Sequence, residues 1–116
     1  MTIWEITKAA LTPLATPMAA SRYIGSADQL PDLFLVYSLI SSPPELWADN
    51  LETLRSYLMQ VSVYSRTGLT GLPDVAGAMV AAGFTRGLER ELPYNQTTGH
   101  YGLSLEFYWL GIQDGD

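Results

Sequence analysis

The sequence predicts one α+β domain over residues 1–116, a mainly antiparallel four- to five-stranded sheet with two helices packed on one face. Two observations predict this class. Apolar residues recur with a period of two in a long central segment and again near the C-terminus, as in half-buried strands. The predicted elements follow the order helix, strand, strand, helix, strand, strand without internal repeats, so consecutive strands can pair as hairpins.

The first helix is predicted by the signals at its two ends. Thr2 and Glu5 have the spacing of a capping box, in which each side chain accepts a hydrogen bond from the other residue's backbone. Pro13 follows, and it ends the helix at about residue 11 or 12 because proline has no amide proton to donate. Residues 13–32 show little periodicity and predict a loop, with a short edge strand over residues 21–23 (Ser-Arg-Tyr).

The central part of the chain predicts two strands. Residues 32–41 are apolar on both faces, and their length and the prolines on both sides favour a strand over a helix. One face of this strand should pack on the helices, and the other needs a second cover. A loop that carries Glu45, Asp49 and Glu52 comes next, followed by a long alternating strand over residues 53–66 and a turn over residues 67–71.

The second helix is predicted over residues 72–82. Pro73 and Asp74 suit its first turn, where a missing amide proton and a negative charge are both favourable. Gly83 occupies the position of a left-handed C-terminal cap. The predicted core stripe of this helix is Val75, Met79 and Ala82, flanked by Leu72, Ala76 and Val80.

The last two strands predict an antiparallel hairpin over residues 84–92 and 100–110. Its turn contains Pro93, Asn95 and Gly99, which tolerate turn geometry. The final strand alternates, and one set of its side chains should enter the core: Tyr101, Leu103, Leu105, Phe107 and Trp109. Residues 113–116 form a short acidic tail that we expect to be frayed.

Composition restricts the function classes. The net charge is −6 and the six basic residues are scattered, so no positive cluster exists for nucleic-acid binding. The absence of cysteine excludes disulfides and thiolate metal sites. Apolar runs are too short for a membrane span, and the N-terminus lacks the pattern of a signal peptide, so we expect folding in a cytoplasm. Charged residues are only 16% of the chain, which favours apolar surface covered by partners.

Candidate catalytic groups are few. His100 is the single histidine, and its place at a strand start favours a solvated or hydrogen-bonded hairpin residue over a general base. A small hydrolase or isomerase that uses His100 with Glu89 or Glu106 remains an alternative. The carboxylates of Glu45, Asp49 and Glu52 do not match the spacing of a calcium loop. We therefore expect no enzyme activity, no metal and no cofactor.

Several short phrases occur in a fixed order over most of the chain, from about residue 18 to residue 110. The phrases are residues 21–23 (SRY), 30–32 (LPD) before 35–37 (LVY), 48–49 (AD), 61–65 (VSVYS), 82–84 (AGF) and 94–101 (YNQTTGHY). This ordered set resembles the small tail-completion, or tail-terminator, proteins of long-tailed bacteriophages, particularly phages of Gram-positive bacteria.

This resemblance implies a sheet backed by two helices and a structural role in the virion. Such a protein caps the growing tail tube, stops its polymerisation and joins the tail to the head connector as a ring, which is hexameric in related proteins. The implied partners are further copies of the chain, the tail tube protein and the head-closure or connector protein, at the head–tail junction. A head-closure component and a free-standing peptide- or ligand-binding module remain alternatives.

The strand that is apolar on both faces predicts where subunits meet. If the helices cover Leu35 and its neighbours, then Phe34, Val36 and Ile40 point the other way and form the expected subunit interface. The alternative is that the loop at residues 13–32 covers them as ordinary core. The acidic residues Glu45, Asp49 and Glu52 are the expected docking loops, and their partners should present positive surfaces.

Overall fold

The computed structural model describes residues 2–21, 30–41, 44–48 and 51–111. Helix α1 spans Ile3–Leu11, and the predicted capping box is confirmed: the Glu5 amide donates to Thr2 Oγ1 at 3.1 Å and the Thr2 amide donates to Glu5 Oε1 at 2.9 Å. A 3-10 turn over Thr12–Leu14 follows, as expected where Pro13 prevents a further helical turn.

Helix α2 spans Val75–Ala81, three residues shorter at its start than predicted. Asp74 is the N-cap and not part of the first turn, because its Oδ1 accepts a hydrogen bond from the Gly77 amide at 3.0 Å. Gly83 has a φ of +108° and forms the predicted left-handed cap.

The sheet contains six strands: β1 (Met18–Ala20), β2 (Leu33–Ser41), β3 (Pro44–Ala48), β4 (Leu51–Ser65), β5 (Thr85–Asn95) and β6 (His100–Gly111). Five of them lie side by side in the order β1-β2-β4-β6-β5, and β3 pairs with β4. Among the strands that the structure describes, only the β1–β2 pairing is parallel. The predicted α+β class with a mainly antiparallel sheet is therefore confirmed.

The core lies between the two helices and one face of the sheet. The register aligns Tyr37, Val61 and Leu105 across β2, β4 and β6, so these side chains share one face. The buried cluster on this side combines residues of α1, α2, the three strands and the turn between α2 and β5: Ile3, Ala10, Leu11, Leu35, Tyr37, Met59, Val61, Val63, Val75, Met79, Phe84, Leu105 and Phe107.

Two predicted elements in the first half of the chain are wrong in place. The short edge strand is Met18–Ala20 and not residues 21–23; Ser21 already has a φ of +65°, and Arg22 and Tyr23 lie outside the described residues. The acidic loop is also corrected. Glu45 lies in β3 and Glu52 in β4, because the backbone pairs from Pro44 and Arg55 to Ala48 and Leu51, whereas Asp49 lies outside the described residues.

Three predictions in the second half are also corrected. Tyr101 is exposed instead of buried, since it lies near the start of β6 and packs on Tyr94 with ring centroids 4.7 Å apart. Val80 and Ala82 are exposed, because the stripe of α2 that faces the core is Val75 and Met79. Pro93 lies within edge strand β5, next to a register shift, where a missing amide proton is tolerated.

Candidate functional site: the sheet face without helices

The register assigns a second set of side chains to the face opposite the helices, called here the open face. Its rows run across β2, β4 and β6. They comprise Phe34, Tyr64 and Gly102; Val36, Ser62 and Ser104; and Ser38, Gln60 and Glu106. The middle of this face is polar, with small serines that their neighbours bury. Its two ends differ in shape.

One end of the open face holds a compact aromatic cluster. The Phe34 ring stacks on Tyr64, and His100 meets Phe34 edge-on, each with centroids 5.0 Å apart. Phe34 is only 5% exposed as a result. Beside it, Leu92 and Tyr64 close over Gly102, where an added Cβ would lie 3.0 Å from the Leu92 Cβ. The chain itself thus covers Phe34, one of the three predicted interface residues.

His100 is the centre of this cluster and is 1% exposed. Its Nε2 lies 2.8 Å from the Pro31 carbonyl oxygen, and its Nδ1 lies 2.8 Å from Thr98 Oγ1. A carbonyl oxygen only accepts, so Nε2 carries a proton and donates, and in the neutral ring Nδ1 accepts from the Thr98 hydroxyl. Both ring nitrogens are therefore engaged in structural hydrogen bonds.

The structure does not bring His100 together with the carboxylates that a hydrolase would need. Glu106 lies six residues further along the same strand, about 20 Å away at the rise of an extended chain. Glu89 aligns with Leu105 on the opposite face and pairs with Arg86 at 3.3 Å. Neither of these two carboxylates is therefore placed as a partner for His100.

Arg66, which directly follows β4, makes three hydrogen bonds to the residues around His100. Its isolated position in the sequence does not indicate this role. Its Nε donates to the Thr98 carbonyl oxygen at 2.9 Å, and its Nη1 donates to the Leu30 carbonyl oxygen at 3.0 Å and to Asp32 Oδ1 at 2.8 Å. Arg66 and His100 therefore both link residues 30–32, which precede β2, to the turn between β5 and β6. No local pattern reveals these contacts, because they join residues more than thirty positions apart.

A cleft of about 220 Å³ opens beside this cluster. Apolar and aromatic groups form much of its wall, and polar groups of the β5–β6 turn line one side. The lining residues are Ser21, Leu30, Phe34, Val36, Tyr64, Asn95, Thr98 and His100. The open face therefore has a concave end.

At the other end of the open face, large apolar side chains are exposed. Ile40 is 49% exposed, Leu110 is 61% exposed and Tyr108 is about half exposed. Leu58 aligns with Tyr108 across β4 and β6 and is half buried beside them. We call Ile40, Leu58, Tyr108 and Leu110 the apolar end. Of the predicted interface residues, Ile40 lies here, and Val36 lies in the cleft.

The described residues hold no cluster of three or more histidine, cysteine or carboxylate side chains that would bind a metal ion. Burial raises the pKa of the Tyr37 phenol, which lies in the core between the sheet and the helices. In the part of the chain that the structure describes, no helix has the length and apolar character to cross a membrane.

Comparison with protein-family models gives no match, and no curated protein matches the sequence.

Proposed function

We propose that this chain is a tail terminator of a long-tailed bacteriophage: a virion protein that caps the tail tube as a ring, stops its polymerisation and joins it to the head connector. The fold class supports the proposal, since the resemblance implies a sheet backed by two helices on one face. The observation that carries it is the open face, where Ile40, Tyr108 and Leu110 expose apolar side chains at one end.

The open face suits contact between like-charged copies. Each chain has a net charge of −6, so contact between two copies is favoured where apolar side chains meet and disfavoured where carboxylates meet. Ile40, Tyr108 and Leu110 offer exposed apolar side chains for such a contact. Glu45, Asp49 and Glu52 lie together in sequence at the β3–β4 connection and remain our proposed docking residues. Their partners in the tube and connector present positive surfaces, and added salt weakens docking.

A peptide-binding module is the second candidate, and the cleft favours it. Its volume is large enough for one or two side chains, and its wall combines apolar and polar groups as ligand sites do. A head-closure protein would also form a ring of subunits, at the next position along the connector. The two virion roles differ in the partner that the ring engages.

A tube-termination assay tests the proposal. The tail tube protein from the same genome as this chain is allowed to polymerise, and the purified chain is added while tube length is followed by electron microscopy. We expect the wild-type protein to stop growth and to appear as a ring at one tube end. Tubes that grow equally long in its presence, without terminal density, contradict the proposal.

Two matched variants locate the active surface. Leu110→Asp adds a charge to the apolar end, and Val80→Asp adds one on α2, on the helix side. The original side chains are 61% and 50% exposed, so both variants should fold. We expect termination to be lost in Leu110→Asp and kept in Val80→Asp. Equal activity of the two variants would show that the open face is not the assembly surface.

A further inference from the structure

Ser104 differs from the other buried polar side chains that the structure describes. It is 2% exposed in the middle of the open face, and its hydroxyl makes no hydrogen bond to any described residue. The other buried polar side chains all have partners: Thr7 bonds to Ile3, Ser62 to Gln60, Ser65 to Thr67, and His100 to Thr98 and Pro31. Buried polar groups in folded proteins are almost always hydrogen-bonded. The Ser104 hydroxyl is therefore available to a group from outside the chain.

Ser104 lines a small pocket on the open face, of about 90 Å³. The other lining residues are Leu88, Glu89 and Arg90 of edge strand β5 and Glu106 of β6. Arg90 lies directly opposite Ser104, and Glu106 lies two residues further along β6, so their side chains share one face of the sheet. A cavity of about 150 Å³ holds a benzene molecule, so a volume of this size accepts about three or four non-hydrogen atoms. The pocket thus admits the tip of a side chain.

A β-bulge shapes one side of this pocket. The register of β5 on β6 shifts between Arg86 and Glu89. Two residues of β5, Gly87 and Leu88, therefore stand opposite the single residue Glu106. Gly87 fits this place because an added Cβ would lie only 3.1 Å from the Glu106 carbonyl oxygen. Leu88 in the pocket wall is 72% exposed, more than any other large apolar side chain that the structure describes.

The pocket also holds two opposite charges without partners. Arg90 and Glu106 form no ion pair or hydrogen bond with any described residue, whereas Glu89 pairs with Arg86 at 3.3 Å. A cation in the pocket would be attracted by Glu106 and repelled by Arg90, and an anion would meet the reverse. A neutral group that carries both a hydrogen-bond acceptor and a donor is favoured by both charges at once.

We infer that this pocket binds the carboxamide of an asparagine or glutamine side chain presented by another protein. The amide oxygen accepts from Arg90, the NH₂ group donates to Glu106, and the Ser104 hydroxyl bonds to the same group. A carboxamide with the carbon that carries it has about four non-hydrogen atoms, which matches the pocket. A backbone peptide group continues into chain on both sides and cannot enter so small a hollow. Leu88 beside the pocket offers an apolar contact to the segment that carries the amide.

Blocked dipeptides test the site. Leucine followed by glutamine, glutamate, lysine or alanine is acetylated at one end and methylamidated at the other, and each is titrated into the full chain while backbone amide signals are followed by NMR. We expect the glutamine probe to shift the signals of residues 88–90 and 104–106 and to bind about tenfold more tightly than the other three. No saturable shift at these residues, or equal shifts with all four probes, would overturn the inference. Acetamide should bind more weakly than the glutamine probe, and equal binding would overturn the docking role in favour of a free amide.

Charge variants assign the roles of the lining residues. Glu106→Gln leaves Arg90 as the only unpaired charge and should turn the preference to the glutamate probe, whereas Arg90→Gln should turn it to the lysine probe. Ser104→Ala should keep the preference for glutamine but weaken its binding. Glu91→Gln changes an exposed carboxylate on the opposite face of β5 and should leave all four affinities unchanged. An unchanged order of the probes in both charge variants would show that the pocket is not the site.

Discussion

His100 provides the sharpest test of how the open face is held together. The structure gives it a purely structural role, with two hydrogen bonds of 2.8 Å and an edge-on contact with Phe34. Replacing it by alanine removes all three interactions and leaves a cavity. If the role is structural, the free energy of unfolding should fall substantially in a variant that lacks this ring.

The size of the effect follows from the contacts. Two hydrogen bonds contribute about 1 kcal/mol each, and the contact between the rings adds about 1 kcal/mol. Loss of the ring volume from a site that is 1% exposed brings the total for His100→Ala to about 3–4 kcal/mol. His100→Phe keeps a ring but loses both hydrogen bonds, and it should cost about 2 kcal/mol.

Urea denaturation at a fixed protein concentration measures these differences. We expect the midpoint to fall in the order wild type, His100→Phe, His100→Ala, with similar slopes. Thr98→Val removes one hydrogen bond to His100 and should lower the free energy of unfolding by about 1 kcal/mol. Thr97, an exposed neighbour, provides the control: Thr97→Val should have little effect. A His100→Ala protein with an unchanged midpoint would refute the structural role.

Three further predictions concern the core and its chemistry. Phe107→Ala should lower the free energy of unfolding by about 3–5 kcal/mol because Phe107 is fully buried. Val80→Ala, at an exposed position, should change the urea midpoint little. Equal midpoints for the two variants would contradict the core assignment. The free energy of unfolding should fall above about pH 10, because Tyr37 ionises there in the unfolded chain whereas its raised pKa keeps the buried phenol protonated in the folded protein. Tyr37→Phe should weaken this pH dependence. An identical alkaline profile for the variant would contradict the prediction. Calorimetry should detect no calcium binding tighter than about 10 µM, and tighter binding would return attention to Glu45, Asp49 and Glu52.

The sequence predicted both ends of α1, the end of α2 and the faces of most strand residues, because these depend on local signals. A capping box, a glycine cap and a period of two each fix structure within a few residues, so Thr2, Gly83 and the alternation around Phe107 gave correct elements. β3 was missed because Pro44 and Glu45 are poor strand formers by themselves. Pairing with the first residues of β4 decides their conformation, and pairing is not a local property.

The candidate site was predicted only in part. The two-faced apolar pattern of β2 predicted that the second face needs a cover. It did not predict that Phe34 and Ile40 differ in burial, since Tyr64 and His100 reach Phe34 from other strands. The register shift after Leu39 and the end of β2 leave Ile40 without such neighbours, so it stays half exposed. Cross-strand contacts of this kind depend on register, which spacing in one strand does not determine.

The central claim is that the open face assembles copies of this chain into a closed ring. The most direct measurement is the mass of the wild-type protein by size-exclusion chromatography with light scattering over a wide range of concentrations. We expect a single species at six times the 12.7 kDa mass of the chain, unchanged on moderate dilution, because a closed ring leaves no free end for growth. A species of 12.7 kDa at every concentration would contradict the claim, as would a mass that rises without limit.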